Sequence, residues 1–167
     1  VPVTQDIVAT YRGPGRVMHR LLSMGQREDR AIAIVMAGCA VIFVAQLPRL
    51  AREAHLTGEE LNPMLGASLL AWVFIAPLML YALAALSHLV ARLLGGRGSW
   101  FDARLALFWA VLASSPLMLL NGLVAGFIGP GPALSFVGLL WLAIFGWFWA
   151  RCLWVAERPQ TSVGAGA

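Results

Sequence analysis

An all-α bundle of four membrane-spanning helices, preceded by an amphipathic interfacial helix, is the fold this sequence predicts. Three observations point there. Of the 167 residues, 60% are apolar and only 12% are charged, with a mean hydropathy of +0.78. Soluble domains run to about 45–50% apolar and about 25% charged, so a water-soluble fold of this length could not hide so much apolar surface. The charges also fall in clumps, and no Asp, Glu, Lys or Arg occurs in 31–48, 61–91 or 105–150. Finally, arginines alternate in density from one inter-span segment to the next, as threading through a bilayer demands.

Residues 1–30 are polar and carry five arginines. They show no short apolar region followed by a small-residue cleavage site, so the first span is expected to act as an uncleaved anchor. Within "PGRVMHRLLSMG", Val17, Met18, Leu21 and Leu22 share one helical face, and Arg16, His19 and Arg20 lie toward the other. That pattern suits a helix in the inner headgroup layer with its arginines on anionic lipid; packing on the bundle is the alternative.

A spanning helix needs about 20 mostly apolar residues. The first uncharged run fits one span at 31–48, and the second fits one long span at 64–91. The third is too long for one helix but contains "GPGP" at Gly129–Pro132. Two prolines and two glycines end one helix and permit a turn, giving spans at 104–128 and 133–153. The transmembrane domain is then 31–156, and 157–167 is a flexible tail. A fifth span arises only if Pro116 divides 104–128.

Orientation follows from the cations, all 12 of which are arginine. Arg12, Arg16, Arg20, Arg27 and Arg30 precede the first span. Arg49 and Arg52 in the next segment are offset by Glu53, Glu59 and Glu60. Arg92, Arg97 and Arg104 follow the second span, the GPGP turn is uncharged, and Arg151 and Arg158 close the fourth. The positive-inside rule then puts both termini and the 92–104 loop in the cytoplasm. The +4 balance is accounted for at the span ends, with no aromatic-interleaved basic stripe, so nucleic acid is not an expected partner.

The loop between spans two and three reads "HLVARLLGGRGSWFDARL". Gly95, Gly96 and Gly98 permit a tight reversal. Arg92, Arg97 and Arg104 would hold it at headgroup level, with Trp100 and Phe101 as an interfacial anchor. A phosphate-cradling loop competes, but "GGRG" lacks the spacing and the Lys–Ser/Thr pair of a P-loop. A lipid phosphate held at Arg97 is its milder form.

Inside the spans, Gly122 and Gly126 form a GxxxG helix-packing face, and Ala33/Ala37 and Ala67/Ala71 form weaker small pairs; each could pack within the bundle or between chains. Pro77 and Pro116 should kink their helices, with Ser114 and Ser115 placed to satisfy freed carbonyls and Asn121 one turn on. His88 is the one ionisable group within the apolar runs. No Asp, Glu or His partner is visible for it in the membrane, so it is expected as an interfacial hydrogen-bonding residue. His19, His55 and His88 fall in different regions without metal spacing, and no metal, cofactor or catalytic residue is expected. Cys39 and Cys152 lie at different depths, which argues against a disulfide. Trp141, Trp147, Trp149 and Trp154, with Phe145 and Phe148, load the fourth span as a lipid belt or a partner surface.

"ALSHLVARLLGGRGSW", "LASSPLMLLNGLVAGFIGPGPA" and "GLLWLAIFGWFWA", with the N-terminal "RGPGRVMHRLL", resemble the Yip1 family of small polytopic membrane proteins in its bacterial branch, over about residues 10–157. The resemblance implies a multi-span helical domain and supplies no catalytic residues. Eukaryotic members are linked to Rab GTPases through a long N-terminal region with tyrosine–glycine motifs. That region has no counterpart here, so Rab binding does not carry over. The family is usually drawn with five spans, where the charges here favour four. The expectation is a non-enzymatic bacterial inner-membrane protein, acting on lipids and other integral membrane proteins as a scaffold or accessory subunit. A small transporter or lipid-handling protein built on the Pro77 and Pro116 kinks is the alternative.

Overall fold

A computed structural model describes residues 3–158. Six helices follow one another: α1 (Val3–Arg12), α2 (Pro14–Ser23), α3 (Glu28–Thr57), α4 (Leu61–Leu93), α5 (Trp100–Phe127) and α6 (Pro132–Glu157). The described residues contain no strand. The last four helices are long and apolar enough to cross a membrane. At 1.5 Å per residue they run to about 39–50 Å, against about 30 Å of hydrocarbon, so their ends overhang the apolar layer.

The helices overrun the expected spans. The segment 49–62, read as a loop, is largely helical: α3 continues through Pro48 and Arg49 to Thr57, leaving Gly58 at φ +72° and two glutamates before α4. Pro116 does not divide the third span, and α5 is continuous from Trp100 to Phe127. Its missing amide would have paired with Leu112 O, and Ser115 Oγ donates to that carbonyl instead at 2.6 Å. In α4 the five residues Ala71–Ile75 form a π-turn immediately before Pro77. A widened turn is a recognised answer to a missing helical donor.

α3 and α5 form the tightest pair and run parallel, with Gly38 beside Leu112, Ala45 beside Gly122 and Pro48 beside Gly126. A Cβ on Gly122 would lie 1.8 Å from Ala45 O, and one on Gly126 would lie 2.3 Å from Pro48 Cβ. The GxxxG face therefore packs within the chain. Ala33 and Ala37 do not share in this seam: both are exposed, and the inward positions of α3 are Ala31, Gly38 and Ala45. Ala67 is likewise exposed.

Around α5 the core is completed by Phe148, Cys152 and Ala156 of α6, Ala84 of α4, and Val17, Met18 and Leu21 of α2. The apolar face of α2 is thus turned into the bundle. α1 is drawn in by polar bonds: Trp109 Nε1 donates to Thr10 Oγ1 at 3.0 Å, and Tyr11 OH donates to Ala113 O at 2.8 Å. Burial pushes the Tyr11 phenol above its usual pKa. Cys39 and Cys152 are buried free thiols.

Candidate functional site

The end of the bundle that carries the α4–α5 hinge is where the polar chemistry gathers. α4 stops at Leu93. Gly95 takes φ +93°, and Gly96 N–H reaches back to Ala91 O at 2.7 Å, closing the last turn. Gly96 and Gly98 serve a different need. A Cβ on Gly96 would sit 2.7 Å from Glu157 Oε2, and one on Gly98 would sit 2.4 Å from Ala156 O. The hinge is glycine-rich because it is pressed against the end of α6, not only because it turns.

Glu157 is the centre of that contact. His88 Nδ1 lies 2.8 Å from its Oε1, Gly98 N–H donates to its Oε2 at 3.0 Å, and Arg97 N–H donates to its backbone carbonyl at 2.9 Å. The His88 side chain is 1% exposed and that of Glu157 8%. Two expectations are corrected here. Glu157 belongs to helix α6 and not to a flexible tail, and His88 has an acidic partner. The partner is far away in sequence and sits on the last turn before the C-terminal segment, whose residues 159–167 lie outside the described chain. Trp100, expected as a membrane anchor, is half-exposed and lies against His88 with ring centroids 4.4 Å apart and the planes tilted by 55°. Phe101, paired with it in that expectation, is buried.

Local sequence fixes the far side of the hinge. Ser99 caps α5 by accepting from Asp102 N–H at 3.2 Å, while Asp102 Oδ2 accepts from Ser99 N–H at 3.0 Å. This reciprocal box satisfies two otherwise orphaned amides. The spacing Ser-x-x-Asp was present to be read, and charge counting passed over it.

The arginines separate into engaged and free. Arg20 pairs with Asp6, and Arg104 pairs with Glu28 while lying 5.9 Å over the Tyr81 ring. Arg92 and Arg97 point outward from the hinge. Arg16 does not join them; with Arg12, Arg151 and Trp147 it lines a pocket at the α1–α2 turn. Trp141, Phe145 and Trp149 stack as a ladder along one side of α6, with successive centroids 5.3 and 5.9 Å apart. Trp154 is exposed beneath Arg158, 4.7 Å from its ring centroid.

Between α4 and α6 a cleft of about 760 Å³ opens sideways, walled by Leu86, Val90, Trp149 and Leu153 and ending at Glu157. Ser114 and Ser115, the buried hydroxyls of α5, both donate to carbonyls of their own helix. Neither stands beside His88 as a nucleophile. Among the described residues no group of three His, Cys, Asp or Glu side chains is placed to hold a metal ion.

No curated protein and no solved structure matches the chain. The family model of the Yip1 domain matches residues 9–162.

Proposed function

Because this chain belongs to the Yip1 family and carries four helices fit to cross a bilayer, we propose that it is a non-catalytic scaffold or accessory subunit of a larger membrane complex, working by helix–helix and lipid contact. The supporting observation is the uneven use of its apolar surface. Within their most apolar stretches α3 and α5 are 39% and 56% buried in the bundle, while α4 and α6 are only 11% and 6% buried. Phe136, Leu139, Leu142 and Trp154 face outward along α6 beside the aromatic ladder. In lipid, such a face costs nothing to leave exposed and is available to another helix. The arginine distribution supports placing both termini and the hinge in the cytoplasm, and the resemblance supports a bacterial inner membrane as the location.

The rival reading, transport around Pro77 and Pro116, is less favoured. The hydroxyls beside Pro116 are buried and bonded to their own helix, where a substrate path would need free polar groups facing a cavity.

Purification of the full chain from native membranes in mild detergent tests the scaffold reading. The expected result is a particle much larger than 18.0 kDa plus its detergent belt, containing defined integral membrane partners. Phe136→Ala/Leu139→Ala should release those partners and leave the bundle folded. A monodisperse single-chain particle from several detergents, lacking other chains, would overturn the reading.

A further inference from the structure

The pocket at the α1–α2 turn is unlike the rest of the surface. It measures about 770 Å³ and its lining includes Arg12, Arg16 and Arg151 with Gln5 and Trp147. Three cations share one concavity. Among the described residues none of the three has a carboxylate partner: Asp6, the acid of this hairpin, is taken by Arg20, and the other ion pairs are Arg27–Asp29, Arg104–Glu28 and His88–Glu157. All three side chains are exposed around that concavity, where their unpaired positive charge favours an anion.

The backbone adds to this. α2 begins in the same pocket with Gly13 at its N-cap and no side chain capping the first turn. Pro14 has no amide to satisfy, which leaves those of Gly15 and Arg16 unbonded at the positive end of the helix. "RGPGR" thus builds an anion cradle from two arginines, two glycines and a helix start, and α6 contributes the third arginine and the tryptophan wall.

Depth selects the anion's source. The uncharged stretch of α6, residues 132–150, is about 28 Å long, which matches the hydrocarbon thickness. Arg151 therefore marks the level where hydrocarbon gives way to headgroups, and Trp147 lies one turn below it. A phosphate at that level, with its acyl chains running down beside Trp147, belongs to a lipid.

We infer that this pocket is a binding site for the phosphate of a net-anionic phospholipid, held by Arg12, Arg16 and Arg151. The site is separate from the hinge arginines and requires no protein partner.

The test uses the full chain in detergent, with native mass spectrometry reading its affinity for dioleoylphosphatidylglycerol and dioleoylphosphatidylcholine. The anionic lipid should bind tightly and the zwitterionic lipid weakly. R12Q/R151Q should weaken the anionic lipid about thirtyfold, each arginine near the membrane surface being worth about fivefold. R92Q/R97Q removes the same charge from the hinge and should change binding less than about threefold. Circular dichroism confirms that both variants remain helical. Equal loss in the two variants, or loss only in R92Q/R97Q, would overturn the site. Millimolar inorganic phosphate or glycerol phosphate should fail to displace the lipid. Full displacement would overturn the lipid assignment in favour of a soluble phosphoester.

Discussion

α5 and α6 are neighbours of nearly equal apolarity, yet the apolar stretch of the first is largely buried and that of the second almost wholly exposed. Hydropathy does not distinguish them; position does, because α5 is packed on by α3, α6, α4 and α2 at once. α5 buries Phe101, Leu105, Leu107, Phe108 and Trp109 together with Ala103, Ala106, Ala110, Ala113, Gly122 and Ala125, while α6 turns Phe136, Leu139, Leu142 and Trp154 outward. Lipid chains are as apolar as leucine, so bulk gives a membrane helix no reason to leave them. Close approach of backbones does, through dispersion contact that only small residues allow. The comparison teaches that apolarity places a helix in the bilayer, while the central helix is the one whose small residues let a neighbour approach and whose large residues fill the space around it.

The largest expected effect follows directly. Gly122→Val drives a side chain into the Ala45 carbonyl, and the α3–α5 seam cannot close at its present spacing. A loss of about 3 kcal/mol or more is expected, at the severe end for overpacking. It should be visible as a collapse of the thermal unfolding midpoint in detergent. Leu139→Ala removes far more apolar volume, but from a residue 67% exposed on α6, and should shift stability by less than about 0.5 kcal/mol. Comparable sensitivity at the two positions would break the distinction between the helices.

What the sequence made legible divides along the same line. Charge gaps and the GPGP turn are one-dimensional signals, and the four spans could be read from them. Gly122 and Gly126 announce a close-packing face, but not which helix it meets. Ala33 and Ala37 also form a small pair by spacing, yet the seam is met by Gly38, Ala45 and Pro48. Which side of an all-apolar helix faces protein is not encoded in apolar periodicity when both surroundings are apolar. The hinge shows a second limit. His88 and Glu157 are separated by most of two spans, and Glu157 stood beside a small, polar C-terminal stretch that reads as a tail. Only the packing of α4, α5 and α6 brings them together. The α1–α2 hairpin shows a third: Thr10 and Asp6 are polar and buried, which no hydropathy pattern would suggest.

A smaller effect is expected at that hinge, where α6 does enter a close contact. Glu157→Ala leaves His88 and the Gly98 amide without their acceptor. Removing one partner of a buried pair costs about 3–5 kcal/mol in a dry interior. Here the pair sits at a helix end near water, so about 2 kcal/mol is expected. His88→Ala should cost a similar amount. The double variant should cost less than the sum of the two by about 1 kcal/mol, since the residues touch. Strict additivity in chemical unfolding would mean that the hinge and the end of α6 are held by glycine packing alone.

The smallest effect sharpens the comparison from inside α5. That helix tolerates a mid-span proline while remaining continuous because Ser115 Oγ takes the place of the missing amide at Leu112 O. Ser115→Ala leaves a buried carbonyl unpaired and should cost about 1 kcal/mol. Pro116→Ala on that background restores an amide in register with Leu112 O, and the loss should be recovered. Amide hydrogen exchange across 112–118 should report the same sequence of loss and recovery. If Ser115→Ala is silent, the hydroxyl is incidental and α5 stays straight through the packing of its small residues against α3. If Pro116→Ala fails to rescue it, the serine acts by filling space in the core and not by bonding.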